Sequence, residues 1–278
     1  MSGRVCVVTG ATRGIGRATA EGLARLGATV VLTARRPEEG EVVARVIREA
    51  GKGTADVIPV DLSSQASIRE AAAEIRRRYP RLHVLVNNAG VITRRRQVTV
   101  DGIELQFAVN HLAYFVLTHL LLDALKAGAP SRIVNVTSGA HAGARIDFDD
   151  LMGERRYEPV RAYSQAKLAN VLFTYELARR LRGTGVTANC LHPGVIATKL
   201  LADYVGVPFA AGAARLFGGS PERGGETSIY LAASPEVEGV SGRYFENCRP
   251  ARSSPASYDE DLARRLWEVS ERLTGLST

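Results

Sequence analysis

The chain has 278 residues, 45% of them hydrophobic, and a formal charge of +7. The length suits one large α/β domain or two small ones, the apolar share suits a globular core, and no run reaches the ~18 apolar residues of a membrane span. The positive charge raises nucleic-acid binding, but Arg76-Arg77-Arg78 closes a helical pattern, Arg94-Arg95-Arg96 falls in a loop, and neither is interleaved with aromatics for base stacking, so solvated arginines are the simpler reading and no nucleic-acid partner is expected.

The first strand-like run, Val5–Thr9, begins so near Met1 that it leaves no room for a signal peptide. Directly after it stands Thr9-Gly10-Ala11-Thr12-Arg13-Gly14-Ile15-Gly16, and then a helical pattern over Gly14–Leu26. Strand, glycine turn and helix form the context that makes a glycine string a dinucleotide site. The glycines let a phosphate approach the main chain, and the helix start points free N–H groups and a partial positive charge at it. The next strand, Thr29–Thr33, runs into Ala34-Arg35-Arg36 with no acid where a carboxylate would hold the ribose of NAD. Arg35, with Arg13 from the glycine turn, suits a 2′-phosphate instead, so NADP(H) is the expected cofactor.

A helical pattern covers Pro37–Ala50, a strand Asp56–Val60, and a helix Ser64–Tyr79. Asp61-Leu62 ends that third strand, where a carboxylate accepts from an adenine amino group. The strand Leu82–Asn87 ends in Asn87-Asn88-Ala89-Gly90. The helical run Asp101–Ala127 contains Asn110, an awkward residue there unless its amide is used. Its stretch Leu112–Leu125 is apolar on more than one face, so core packing and pairing between subunits are both open.

The strand Arg132–Thr137 places Ser138 at the C-terminal edge of the sheet. The connection Ala140–Val160 is long for a strand-to-helix turn and is expected to be functional. The helix Ala162–Leu181 carries Tyr163-Ser164-Gln165-Ala166-Lys167, and residues four apart share a helix face. The chain has only four lysines (Lys52, Lys126, Lys167, Lys199) among 36 basic residues, which invites a lysine-specific reason at 167: a compact point charge. The strand Val186–Leu191 leads into His192-Pro193-Gly194. Beyond it, Ala197–Ser220 is apolar and glycine-bearing, and is expected to be a substrate lid at about 197–220. A helix Pro221–Ala233, a strand Gly242–Phe245 and a helix Tyr258–Leu273 close the chain. Cys6, Cys190 and Cys248 are far apart and form no C-x-x-C pair, so a reduced, cytoplasmic compartment and buried thiols are expected.

Regular alternation of apolar strands and helices predicts one α/β domain over residues 1–278. Its architecture is a single-domain Rossmann fold: a doubly wound, mostly parallel seven-stranded sheet with helices on both faces.

Thr9 to Gly16, Asp61, Asn87 to Gly90, Asn110, Ser138, Tyr163 with Lys167, and Pro193-Gly194 together resemble the short-chain dehydrogenase/reductase family, in order and over nearly the whole chain. Leu105 to His111, Ser131 to Val136, Tyr163 to Phe173, Leu191 to Val195 and Leu231 to Phe245 are similar to its retinol-dehydrogenase-like subgroup. That resemblance implies an NADP(H)-dependent oxidoreductase acting on a lipophilic aldehyde, ketone or alcohol. It implies Tyr163 as proton donor, Lys167 lowering the phenol's pKa and holding the nicotinamide ribose, Ser138 on the substrate oxygen, and Asn110 on a water linking Lys167 to solvent. It places Gly10, Thr12, Arg13, Gly14, Ile15, Gly16, Arg35, Asp61, Leu62, Asn88, Ala89, Gly90, Tyr163, Lys167, Pro193, Gly194, Val195 and Thr198 around the cofactor. Subunits of the family often pair, so a homodimer or homotetramer is expected. No metal is implied, and His111 and His141 are read as structural. A catalytically idle dinucleotide sensor on the same fold is the rival reading, opposed by the intact Ser138, Tyr163, Lys167 and Asn110 set.

Overall fold

The strands of this chain bury residues on alternate faces, and that alternation builds two cores. In the computed structural model, which describes residues 1–194 and 219–276, Val7, Val31, Leu85, Ile133 and Ala188 pack on one side of the sheet. Their neighbours Cys6, Val8, Val30, Leu32, Val84, Val86 and Val134 pack on the other. A strand with period two serves both cores only when helices cover both faces.

The sheet runs β3-β2-β1-β4-β5-β6-β7-β8. Its strands are β1 (Val5–Thr9), β2 (Thr29–Ala34), β3 (Thr54–Pro59), β4 (Val84–Asn87), β5 (Ser131–Val136), β6 (Val186–His192), β7 (Tyr244–Glu246) and β8 (Arg249–Ala251). All pairings are parallel except β7 with β8. The helices are α1 (Gly14–Arg25), α2 (Pro37–Glu49), α3 (Gln65–Arg78), α4 (Leu105–Ala127), α5 (Pro159–Arg180), α6 (Pro221–Ala233) and α7 (Glu260–Thr274). Strand order reverses between β1 and β4, so their C-terminal ends open the crevice where this class of sheet binds ligands.

The doubly wound α/β fold is as expected, with one strand more than the seven anticipated. β8 is a three-residue edge strand containing Pro250, a composition that hides it from a hydrophobic pattern. It is joined to β7 by Asn247 and Cys248, both at positive φ (49° and 60°), the backbone of a tight hairpin turn. The run expected to form a helix from Asp101 begins it only at Leu105. Glu104 is the reason: its carboxylate accepts from the amides of Gln106 (2.9 Å) and Phe107 (2.7 Å) and so caps the helix. Helix α5 starts at Pro159, three residues before the expected Ala162, with proline in its first turn.

α4 is long and apolar enough to cross a membrane by composition, a property the count of consecutive apolar residues did not flag, yet 78% of the relevant window is buried inside this chain. Its Leu117, Leu121 and Leu125 belong to the core, and Phe115 meets Trp267 of α7 at 5.1 Å between ring centroids. The apolar character on several faces thus has partners within one chain. Of the cysteines, Cys6 and Cys190 are buried, and burial pushes both thiols up to about 12; Cys248 is half-buried. Arg77 and Arg78 pair with Glu74, and Arg96 reaches the Met152 carbonyl (2.8 Å) and Glu154 (3.4 Å).

His111 ties α7 to α4. It is 1% exposed, with Nδ1 at 3.3 Å from Asn170 Oδ1 and Nε2 at 3.0 Å from Ser270 Oγ. Burial pulls its pKa down to about 4. The unfolded chain therefore takes up this proton first, so the stabilisation is complete above the ordinary value near 6.5 and is lost as pH falls from there toward 4. The full effect is about 3 kcal/mol. Denaturant unfolding measured across that window is expected to show stability falling with acid, with on the order of one proton less slope in His111→Gln. An unchanged slope in the variant contradicts the assignment.

Candidate active site

The loop after β1 is shaped by contacts that only glycine permits. Gly10 and Gly14 sit at positive φ (64° and 55°). A Cβ on Gly10 would meet Ala89 Cα at 2.9 Å, and one on Gly16 would meet the Gly10 carbonyl oxygen at 2.3 Å and Asn88 Nδ2 at 2.4 Å. Thr9 stitches this loop to the end of β4: its Oγ1 accepts from the amides of Asn88 (2.8 Å) and Ala89 (3.0 Å), while Asn88 Nδ2 donates to the Thr9 carbonyl (2.8 Å). α1 begins with no side-chain cap and no acid in its first turn, so its first-turn amides, that of Ile15 among them, are left without a side-chain partner at the positive end of the helix.

Two arginines differ in what they are free to do. Arg36 is tied to Glu39 at 2.6 Å. Arg35, exposed at the end of β2, and Arg13, exposed in the glycine turn, have no ion pair among the described residues. Past β3, Asp61 Oδ1 accepts from Ser63 N (2.9 Å) and Ser63 Oγ (2.6 Å), which fixes its carboxylate; Leu62 beside it is half-buried. Gly90 follows Ala89 at the end of β4. Pro193 and Gly194 (φ 87°) follow β6 beside the end of β5. Val195, Thr198 and residues 197–218 of the expected lid lie outside the described residues.

The second cluster forms where β5 meets α5. Thr137 Oγ1 donates to the Lys167 carbonyl (2.8 Å), and Lys167 Nζ donates to the Val136 carbonyl (3.1 Å). The ammonium lies 5.6 Å from the Tyr163 ring centroid and 5.9 Å from that of Tyr114. Burial lowers Lys167 to about 8. Ser138 follows β5, accepts from Ala140 N (3.2 Å) through its hydroxyl, and hydrogen-bonds Tyr163. Tyr163 is held above its ordinary value by burial, with the Ser138 hydrogen bond pulling the other way. Burial outweighs the Ser138 bond at the phenol, while the Lys167 ammonium spends a hydrogen bond on the Val136 carbonyl.

Asn110 lies in a π-helical stretch of α4, Ala108–Leu112. Its amide is indeed used: Oδ1 accepts from Val91 N (2.7 Å) and Nδ2 donates to Val91 O (2.9 Å). The carbonyl that the π stretch leaves free accepts from Asn170 Nδ2 (2.7 Å). Asn110 thus pins the chain just beyond Gly90 to α4.

Four supporting residues escaped the sequence reading as individuals. Thr9 was only the first letter of the glycine string. Tyr114, whose hydroxyl donates to Ala89 O (2.8 Å) beside Lys167, stands four residues after Asn110, a spacing that signals a shared face. Thr137 and Asn170 carry no local signal, because their partners are distant in sequence.

A family model for the short chain dehydrogenases matches residues 4–205. The chain belongs to that family. Among curated members, it is 45% identical over 295 residues to Retinol dehydrogenase 14 of Homo sapiens, covering 99% of this chain and 88% of that one. Among solved structures, an uncharacterized protein from Mycobacterium Paratuberculosis aligns with TM-score 0.81 and 34% identity, covering 99% of this chain and 95% of the other. The Pseudomonas aeruginosa RhlG/NADP active-site complex aligns with TM-score 0.72 and 28% identity, covering 88% and 94%. The retinol-dehydrogenase-like resemblance of the sequence is thereby borne out, and the glycine turn, Ser138 and the Tyr163–Lys167 pair of this short chain dehydrogenase stand at the same end of the sheet.

Proposed function

We propose that the protein is an NADP(H)-dependent oxidoreductase that transfers hydride between the nicotinamide and the carbon of a carbonyl or alcohol. The observation that carries this is the Ser138–Tyr163–Lys167 cluster beside a loop in which a Cβ at Gly10 or Gly16 has no room. The fit to a dinucleotide rests on that loop, on the uncapped start of α1 and on Arg13 and Arg35, which have no ion pair among the described residues. Gly10, Thr12, Gly14, Ile15 and Gly16 would face the pyrophosphate through their backbone. Arg13 and Arg35 would hold the 2′-phosphate, Asp61 and Leu62 the adenine, and Asn88, Ala89 and Gly90 the adjoining ribose. Pro193, Gly194, Val195 and Thr198 would border the nicotinamide, as the family resemblance implies. The solved relative with NADP supports the choice of cofactor.

When bound, the cofactor supplies or accepts the hydride. In reduction, Tyr163 gives its phenolic proton to the carbonyl oxygen as charge builds there, and Ser138 stabilises that oxygen by a hydrogen bond. Lys167 holds a positive charge near the ring and favours the phenolate that remains. Asn110 keeps the Val91 backbone and α4 in register beneath the site. The likeness to a retinol dehydrogenase supports an apolar aldehyde, ketone or alcohol as substrate.

The cofactor choice has a direct test. NADPH is expected to bind more tightly than NADH, by about tenfold or more for one charge-assisted pair. Arg35→Asp is expected to abolish or reverse that preference. Fluorescence titration of parent and variant with both cofactors measures it, and equal affinity in the parent contradicts the role of Arg35.

A further inference from the structure

His141 stands three residues after Ser138, 3% exposed, in the short 3-10 turn Gly139–Gly143. Its Nδ1 lies 2.7 Å from the Ser138 carbonyl oxygen, which can only accept. Its Nε2 lies 3.1 Å from the Ser254 amide, which can only donate. These two partners fix one neutral tautomer, with the proton on Nδ1 and the lone pair on Nε2. The ring packs on Tyr244 at 5.0 Å between centroids.

The far partner is itself anchored. Ser257 Oγ donates to the Ser254 carbonyl (2.6 Å) and lies 2.7 Å from Ser253 Oγ, which in turn lies 2.7 Å from Tyr175 OH. Tyr175 is on α5, the helix that carries Tyr163 and Lys167. His141 therefore closes a path from the backbone of Ser138, through the segment 253–257, to the helix of the other two groups. Within the turn, the Ser138 carbonyl also accepts from the His141 amide (3.2 Å) and its hydroxyl from Ala140 N (3.2 Å), so the ring adds a second, shorter bond to that carbonyl and is the one that links it to a distant segment.

We propose that His141 is a positioning residue for hydride transfer: it holds the Ser138 carbonyl so that the serine hydroxyl keeps its place against Tyr163 and the substrate oxygen. This rests on the function proposed above. A displacement on the order of 1 Å at such a group costs about a hundredfold in rate without requiring loss of binding.

Three variants separate positioning from packing. Asn places its amide N–H near the position of Nδ1 and keeps the bond to Ser138; Gln reaches the position of Nε2 and keeps only Ser254; Phe keeps only the ring on Tyr244. With NADPH and an aldehyde turned over by the parent, kcat is expected to fall roughly 10- to 100-fold in His141→Gln and His141→Phe. His141→Asn is expected to recover most of it. KM and NADPH affinity stay near the parent values, and the order of kcat does not follow the order of Tm. Parent-like kcat in His141→Gln, equal losses in His141→Asn and His141→Gln, or kcat that tracks Tm overturns the inference. Ser138→Ala in the same assay keeps the two ideas apart. If it is inactive while His141→Gln is fully active, only the positioning role fails. If it retains parent turnover, the role of Ser138 fails and the inference with it.

Discussion

Tyr163→Phe is expected to lower turnover by about a hundredfold or more, with NADPH affinity nearly unchanged. The substitution keeps the ring between Lys167 and Ser138 and removes only the hydroxyl that Ser138 contacts. No other described group is placed to replace it. Lys167 donates a hydrogen bond to the Val136 carbonyl, and Tyr114, whose phenol burial holds far above its ordinary value, spends its hydroxyl on the Ala89 carbonyl. Steady-state rates with a confirmed substrate, alongside an NADPH titration, measure both halves of the expectation. Near-parent turnover contradicts the proton-donor role. A parallel loss of NADPH binding shows instead that the hydroxyl serves the cofactor.

Gly16→Ala carries the second large effect, on binding rather than chemistry. Its methyl would stand 2.3 Å from the Gly10 carbonyl oxygen and 2.4 Å from Asn88 Nδ2. The first is backbone. The second is held by its bond to the Thr9 carbonyl, so neither yields cheaply. Relief requires α1 to move away from the glycine turn, which withdraws the helix amides from the phosphate position. NADPH affinity is expected to drop about a hundredfold, or roughly 3 kcal/mol, measured by fluorescence titration. Gly143→Ala serves as the control, since a Cβ there meets nothing within 4 Å and binding is expected to stay unchanged. Parent-like affinity in Gly16→Ala contradicts the tight-loop account.

Most of the fold was legible because the strands of a parallel sheet are apolar runs, and runs survive without knowledge of their partners. β1, β2, β5 and β6 stand where such runs are. β8 was not legible: its three residues include a proline and gain their place only by pairing with β7 across the Asn247-Cys248 turn. The start of α4 is not legible in the sequence, because hydrophobic periodicity does not record a cap, and Glu104 is a cap built from a buried carboxylate. The clustering of Ser138, Tyr163 and Lys167 follows from strand ends and a four-residue helical spacing, both local signals. The charge balance there is not local. Whether burial or a neighbouring ammonium sets the phenol depends on where Lys167 Nζ points, and it points to Val136. The same holds for His141: read from sequence as structural, it contacts Ser138 three residues away and Ser254 far along the chain, and only the second contact reveals the brace.

The central claim is hydride transfer from NADPH at the Ser138–Tyr163–Lys167 cluster. Its most direct measurement mixes the protein with NADPH and a panel of apolar aldehydes and ketones, following NADPH absorbance and the alcohol formed. The expected result is one alcohol produced for each NADPH consumed with at least one apolar carbonyl, and a flat trace for Tyr163→Phe under the same conditions. Tight NADPH binding with no consumption across the panel, or equal consumption by Tyr163→Phe, contradicts the account.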